Sequence, residues 1–255
     1  MKIFHYTTIE TLALILKHRT LRFNCASNVN DPDEGNSDDF KESLAPHCFI
    51  SCWTCKQEES IPLWKIYAAN GKGVRLESDT RYIRMINENE NNPGRLLFIV
   101  KNVTSVNPKV HFINLWQDAE SINPYFKTNY SDEKRIFKKD YSTSETQQFV
   151  YDVEAAFNTK KTCWSYEEEI RFILLGNDVE DPKIWESVFH SIPSKNKLDL
   201  DYVDLKLDQD FFDNLKITCG PLTEDADKII VNSLIEKFDK NKKMEVFNSK
   251  IKMRK

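Results

Sequence analysis

Three consecutive glutamates, Glu167, Glu168 and Glu169, precede a β-prone run that begins at Ile170 and contains Arg171. Side chains of a strand alternate between its two faces, so Glu167, Glu169 and Arg171 would share one face. A carboxylate held beside a cation at the mouth of a sheet can stay ionised. It can then stabilise a developing positive charge, as in glycosyl transfer with its oxocarbenium-like transition state. The alternative is a solvated edge-strand face with a weak Glu–Arg pair, and composition alone favours that alternative.

Three further side chains could do chemistry but have plainer explanations when each is taken singly. A lone histidine such as His5 is more often a satisfied core or surface residue than a catalytic one. Trp64 and Tyr67 are three residues apart in a predicted helix, and this spacing suits ordinary core packing. None of the three indicates a function alone.

A zinc site is the other chemistry to weigh, because Cys52 and Cys55 have chelating C-x-x-C spacing, with Cys48 and His47 close by. The same segment has the pattern of a buried strand, in which Cys52 and Cys55 would point to opposite faces. No second cysteine pair completes a ligand set. The sequence therefore favours buried structural thiols over a metal site.

The positioning elements can be predicted from hydrophobic periodicity and turn residues. The loop 24–39 is polar and acidic and is expected to be exposed, whereas 199–213 resembles a half-buried strand. In 107–146 the apolar pattern weakens, which predicts a mostly helical or loop insertion within one domain spanning 1–255. The predicted strands are 2–7, 20–23, 48–54, 73–77, 96–106, 170–175 and 215–219, and the predicted helices are 7–16 (with Thr7 as its cap), 60–68, 148–158 and 223–238.

Composition narrows the function classes. The chain has 255 residues, 40% of them hydrophobic, so it can bury a core. Its formal charge is −4, which argues against wholesale nucleic-acid wrapping, although eight basic and two acidic residues in the tail 237–255 leave the rest at −10. This tail is most simply a frayed, solvated terminus, with a nucleic-acid contact as the alternative. Only six glycines occur, and no Gly-rich phosphate-loop motif is present. Without an early secretory or membrane-spanning run, a cytoplasmic protein is expected.

Six short motifs, taken in their order along the chain, favour a functional explanation over the plainer explanations of the single residues. Together they resemble a bacterial family known as domain of unknown function twenty-nine seventy-one, which itself looks like a diverged branch of the ADP-ribosyltransferase superfamily. Such proteins split nicotinamide from NAD without a Gly-rich loop. The motifs are His5-Tyr6-Thr7, Asn30-Asp31-Pro32-x-Glu34, Ser51-Cys52-Trp53, Leu63-Trp64-x-x-Tyr67-Ala68 running to Gly73-Val74, Trp164-x-Tyr166-Glu167-x-Glu169-x-Arg171, and Ile217-x-x-Gly220.

The resemblance implies roles for individual residues. His5 would hydrogen-bond a ribose hydroxyl of NAD, and the backbone of Tyr6 would lie close to the nicotinamide amide. Tyr67, with Trp64 near it, would supply an aromatic surface for the nicotinamide ring. Glu169 is similar to the catalytic glutamate that binds the ribose 2′-hydroxyl and stabilises the oxocarbenium-like state.

Further residues follow from the same likeness. Glu167 resembles the first glutamate of an E-x-E pair, which orients the acceptor nucleophile. Arg22 and Arg171 would contact the pyrophosphate, or orient Glu169. Thr7 and Ser51 are further candidate NAD contacts. Which aromatic faces nicotinamide is left open, because Trp53, Trp64 and Tyr67 compete.

The resemblance implies an α+β fold with a split mixed/antiparallel β-sheet core of ADP-ribosyltransferase type and flanking helices. The hypothesis is an enzyme that cleaves NAD, without a metal, and transfers ADP-ribose to an unknown protein or nucleic-acid acceptor. It would act as a toxin or phage-defence effector in the bacterial cytoplasm, away from membranes, with an antitoxin or neighbouring regulator as a possible partner. The alternatives are an NAD glycohydrolase, and a catalytically inactive regulatory module that binds a nucleotide, nucleic acid or protein.

Overall fold

The computed structural model describes residues 1–39, 43–89, 98–104, 110–114, 125–140, 149–178 and 198–253. Its helices are α1 (Ile9–His18), α2 (Ile61–Tyr67), α3 (Val153–Asn158), α4 (Gln209–Asp213) and α5 (Asp225–Phe238). Its strands are β1 (Lys2–Thr7), β2 (Thr20–Cys25), β3 (Cys48–Thr54), β4 (Val74–Asp79), β5 (Asn87–Asn89), β6 (Phe98–Val100), β7 (Val103–Thr104), β8 (Val110–Asn114), β9 (Phe126–Lys127), β10 (Asn129–Tyr130), β11 (Lys138–Asp140), β12 (Phe149–Tyr151), β13 (Thr159–Lys160), β14 (Glu169–Asp178), β15 (Tyr202–Lys206), β16 (Lys216–Cys219) and β17 (Glu245–Asn248).

Thirteen of the described strands form one open, mixed sheet, whose main path runs β17, β16, β4, β1, β3, β14, β8, β6, β5. Strands β2, β7, β9 and β15 attach beside this path. Strands β16 and β17 are parallel, whereas the other pairs of the sheet are antiparallel. The architecture is therefore α+β, as predicted at that level.

The sheet divides at β3. One edge of β3 pairs with β14 along its whole length, from Thr54 to Cys48. Its other edge pairs with β1 at Phe4–Thr54 and then with β2 at Asn24–Ile50 and Cys25–Phe49. Strands β1 and β2 thus leave the middle of β3 between them, and a cleft opens at this point.

Helix α1 connects the two strands on either side of the cleft. Thr8, rather than the predicted Thr7, is its N-cap, and the Thr8 side chain accepts a hydrogen bond from the backbone N–H of Thr11 at 3.1 Å. Thr7 instead ends β1. The helix ends at Arg19, whose left-handed backbone turns the chain into β2.

Close backbone approach fixes the end of β1. A Cβ atom added to Gly73 would lie 2.2 Å from the carbonyl oxygen of Thr7, and one added to Gly220 would lie 2.3 Å from the carbonyl oxygen of Gly71. Only glycine fits at such distances. The Gly73-Val74 motif therefore brings the chain close to the end of β1, and the Ile217-x-x-Gly220 motif brings it close to Gly71.

Three sequence-based expectations about organisation need correction. The described parts of 107–146 contain strands and loops but no helix, and β8 joins the main sheet through β14; the remainder of this range lies outside the described residues. The loop 24–39 is not fully exposed, because Asp31 and Glu34 are buried. The described part of the tail, 237–253, is not frayed, because β17 pairs with β16 and Ser249 and Lys250 both donate hydrogen bonds to Glu59.

Candidate functional site

A cavity of about 610 Å³ occupies the split in the sheet. Residues of β1, β2, β3 and β14 line it, together with α1, the segment 28–30 and Lys160. Its size is within the range of small-molecule sites. Nine of the ten site residues predicted from the sequence lie on its wall: His5, Tyr6, Thr7, Arg22, Ser51, Tyr67, Glu167, Glu169 and Arg171.

His5 projects from β1 towards β3 where the strands no longer pair. Its Nδ1 donates a hydrogen bond to the carbonyl oxygen of Cys52 at 2.9 Å. Because a carbonyl can only accept, the proton lies on Nδ1, and Nε2 of the neutral ring is left as an acceptor. Burial lowers the pKa of His5, opposed by the bond to Cys52, so the ring is neutral at pH 7.

The two predicted catalytic carboxylates are bridged by a lysine. Lys160 Nζ lies 2.8 Å from Glu167 Oε2 and 3.1 Å from Glu169 Oε2. All three side chains are almost fully buried. Burial would raise the pKa of Glu169, but Arg171 and Lys160 outweigh it and hold that pKa below its usual range. Glu169 is therefore ionised at neutral pH.

The chain brings Glu167 and Glu169 together by a different route from the predicted strand face. Glu167 ends a 3₁₀ helix, Thr162–Glu167, and β14 begins only at Glu169. Between them Glu168 takes a left-handed conformation, with φ of 43°. Its side chain turns outward, where it pairs with Lys56 at 2.6 Å. The prediction that Glu169 and Arg171 share one face of the strand is in accord with the structure, because both line the cavity.

Arg171 is fixed from behind the cavity wall. It makes two contacts of 2.8 Å with the Glu34 carboxylate and also donates to the carbonyl oxygen of Phe157. A further contact of 3.1 Å joins it to Glu169 Oε2. Its side chain is 1% exposed. These contacts suit the orienting role among the two predicted for Arg171, since its donors are held inside the protein rather than offered to a pyrophosphate.

Glu169 lines the cavity, and its buried Oε2 is the oxygen that faces the two cations. Oε2 lies near two cations but makes no hydrogen bond of good geometry within the described structure. The backbone N–H of Glu169 donates to the hydroxyl of Tyr130 at 2.8 Å, which fixes the start of β14. The carboxylate is thus positioned chiefly by charge, and a ligand hydroxyl could donate to it.

Two of the three competing aromatics lie on the cavity wall. Tyr67 donates to Glu167 Oε1 and accepts a hydrogen bond from Asn30 at 2.6 Å. Burial and the Glu167 charge raise the pKa of Tyr67, so its hydroxyl stays protonated. The Trp53 ring lies beside that of His5, with ring centroids 5.0 Å apart. Either ring could face a planar ligand group.

Trp64 is the predicted site residue that the structure does not bring to the cavity. Its ring is fully buried and packs edge-on against Tyr6, with centroids 4.9 Å apart. Its Nε1 donates to Glu59 at 3.0 Å. The prediction of a nicotinamide contact is therefore corrected to a supporting position beneath Tyr6.

The remaining predicted contacts differ in how freely they can meet a ligand. Arg22 is partly exposed, forms contacts of 3.0 and 3.3 Å with Asp204, and stacks over the Tyr202 ring. Ser51 is buried and accepts from Trp53 Nε1 at 3.2 Å. Arg22 is accordingly more accessible to a phosphate group than the buried Arg171.

Sequence reasoning missed several residues that build the site. Lys160 lies in a two-residue strand outside every quoted motif. Asn30 and Glu34 belonged to a quoted motif, but they received no role. Their four-residue spacing places one beside Tyr67 and the other on Arg171. Only the motif itself signalled their importance.

Three further observations concern metal ligands, thiols and membrane spans. Within the described ranges, no group of three or more His, Cys, Asp or Glu side chains is arranged to hold a metal ion. Burial and Glu169 raise the pKa of Cys52, and the cysteines of the described residues are free thiols. In the same residues, no helix is long and apolar enough to cross a membrane.

Comparison with known proteins gives one match. Residues 63–172 are similar to a family described as "Protein of unknown function (DUF2971)". This span contains Tyr67, Lys160, Glu167, Glu169 and Arg171 and excludes the β1 residues of the site. No curated protein and no solved structure matches the chain.

Proposed function

We propose that the chain is an NAD-dependent ADP-ribosyltransferase-like enzyme that releases nicotinamide from NAD and transfers ADP-ribose to a macromolecule. The observation that carries this proposal is the meeting of His5, Tyr67 and Glu169 on the wall of one cavity, although they lie far apart in the sequence. The cavity wall contains the rings of Tyr67 and Trp53, either of which could face nicotinamide. It also contains the ionised Glu169 carboxylate, which could stabilise positive charge on the ribose.

In the proposed complex, His5 Nε2 accepts a hydrogen bond from a ribose hydroxyl, because Nδ1 already donates to Cys52. Tyr67 or Trp53 faces the nicotinamide ring. Arg22 meets the pyrophosphate, since it is the more exposed of the two predicted arginines.

In the proposed reaction, the bond between ribose C1′ and the nicotinamide nitrogen breaks, and nicotinamide leaves with the bonding electron pair. The ribose then carries oxocarbenium-like positive charge, which the Glu169 carboxylate stabilises. Arg171 holds this carboxylate in place through the 3.1 Å contact with Oε2. An acceptor hydroxyl, amine or carboxylate attacks C1′ and forms the new bond, and a proton that the acceptor carries passes to solvent water.

A glycohydrolase, with water as acceptor, is the second candidate, and one contact pattern favours it. Both oxygens of Glu167 are already engaged, Oε1 by the Tyr67 hydroxyl and Oε2 by Lys160. A glutamate held in this way is less free to orient a macromolecular acceptor, whereas water can attack without being oriented by it. Hydrolysis would yield free ADP-ribose and no labelled macromolecule.

Release of nicotinamide from NAD, followed chromatographically, tests the proposal. Glu169→Gln should lower the rate by at least about 10²-fold, as loss of a transition-state charge contact does. Glu168→Gln is the matched control, because that neighbouring carboxylate points away from the cavity towards Lys56. Radiolabelled NAD with cell extract separates transfer from hydrolysis. NAD-induced thermal stabilisation without turnover would instead support an inactive binding module.

A toxin or phage-defence role in the bacterial cytoplasm is part of the same proposal. Expression of the wild-type chain in bacteria should arrest growth, whereas Glu169→Gln should not. An antitoxin or neighbouring regulator would be identified by its ability to relieve the arrest. Equal growth with both chains would oppose this role while leaving NAD cleavage to be judged by the nicotinamide assay.

A further inference from the structure

Lys160 is the least expected component of the cavity wall. Its side chain is 3% exposed, yet it carries a charge and no quoted motif includes it. Burial of an unpaired ammonium would be strongly unfavourable. Two carboxylates compensate it, at 2.8 Å from Glu167 and 3.1 Å from Glu169. The Trp164 ring lies 5.0 Å from its Nζ on another side.

The position of β13 explains how the lysine reaches both carboxylates. β13 pairs in parallel with β10, and Lys160 lies opposite Tyr130, whose hydroxyl accepts from the Glu169 backbone. The same short pair of strands therefore fixes both the lysine and the start of β14. The pairing of β13 with β10 thus places the Lys160 ammonium between Glu167 and Glu169.

The charges around the two glutamates show why a cation is needed there. Arg171 already makes two contacts with Glu34. If Lys160 were absent, Arg171 would also be the counter-charge of Glu169. Without Lys160 the cluster of three carboxylates would contain a single cation. The titratable and charged groups that face Lys160 from the surrounding elements are Glu167, Glu169, Arg171, Cys52, Tyr130 and Tyr166.

We propose that Lys160 is a positioning residue, whose ammonium holds the Glu167 and Glu169 side chains next to each other. The effect of Lys160 on catalysis rests on the proposed cleavage of NAD. The arrangement of Lys160 between the two glutamates does not depend on that proposal. Lys160 acts on Glu169 by charge and on Glu167 by a hydrogen bond. Removing it leaves Glu169 buried with Arg171 as its counter-charge.

The test follows the Glu169 carboxyl by NMR, with isotopically labelled glutamate and Glu169→Gln to identify its signal. Lys160→Met should raise the Glu169 titration midpoint by about one to three pH units, the usual effect of a nearby opposite charge. Lys161→Met is the matched control, because Lys161 is next to Lys160 in the sequence but its ammonium is exposed and paired with Asp33. It should leave the midpoint unchanged. A midpoint that is equal in wild type and Lys160→Met overturns the proposal.

A second measurement needs no variant to fold. The ammonium protons of Lys160 in the wild-type protein should exchange with solvent far more slowly than those of Lys161. Equal exchange rates overturn the proposal. If wild type releases nicotinamide, Lys160→Met should also lower kcat by about 10²-fold, with little change in KM and a pH profile displaced upward. If wild type releases none, NAD cleavage fails, while the titration and exchange measurements still decide the role of Lys160.

Discussion

The buried Glu34–Arg171 pair gives the strongest stability prediction. Glu34→Gln removes one charge from a pair whose side chains are each 1% exposed and whose two contacts measure 2.8 Å. The glutamine amide would also direct N–H donors at the guanidinium, which has no acceptor to offer. The perturbation therefore leaves a buried cation partly uncompensated at the wall of the cavity.

The expected cost follows from this geometry. Two unit charges about 4 Å apart interact by about 4 kcal/mol at an effective dielectric constant of about 20. Breaking a buried pair by removing one partner costs about 3–5 kcal/mol. For a chain of this size each kcal/mol lowers Tm by about 2–4 °C, so Glu34→Gln should lower Tm by about 6–20 °C. Thermal unfolding by circular dichroism, with urea unfolding as a second measure, provides the assay.

Asp204→Asn is the matched control. Asp204 also makes two contacts with an arginine, Arg22, but the two side chains are 23% and 42% exposed. Solvent screening limits such a pair to about 1 kcal/mol or less. If Glu34→Gln were no more destabilising than Asp204→Asn, burial would not set the strength of the Glu34–Arg171 pair, and the reasoning would be refuted.

Three further predictions concern the framework. Because burial holds the pKa of His5 below 6.5, the unfolded chain binds the proton at a higher pH than the folded chain does. The free energy of unfolding should therefore fall as the pH drops below about 6.5, by at most about 1.4 kcal/mol per pH unit. His5→Asn should flatten that slope in urea titrations. Gly73→Ala should destabilise the fold by about 1–3 kcal/mol or more, because its Cβ would meet the Thr7 carbonyl oxygen at 2.2 Å; an unchanged urea midpoint would contradict the close approach. A chain ending at Asn248 loses two hydrogen bonds to Glu59 and should lose about 1–3 kcal/mol, whereas unchanged stability would favour a solvated tail.

The sequence carried more information about the strands than about how charges meet. Alternation predicted β14 and placed Glu169 and Arg171 on one face, because a strand's period depends only on local residues. It could not reveal that Glu168 takes a left-handed conformation immediately before the strand begins. Glu167 therefore reaches Lys160 from a 3₁₀ helix rather than from β14.

Long-range ion pairs explain the other differences. Glu34 lies 137 residues before Arg171, and apart from the motif that contains it, nothing in the local sequence distinguishes it from the exposed Asp38. Lys160 likewise stands beside the exposed Lys161, and their local surroundings in the sequence are nearly the same. Only the folded arrangement shows which lysine is buried. Part of the candidate site was predictable from ordered motifs, and its internal counter-charges were not.

A crystal structure of the Glu169→Gln variant with NAD tests the central claim most directly. The account predicts the nicotinamide ring against Tyr67 or Trp53, with a ribose hydroxyl between residue 169 and Nε2 of His5. The substituted residue should slow cleavage enough for intact NAD to remain in the cavity. Nicotinamide bound outside the cavity, or an empty cavity at saturating NAD, would contradict the account.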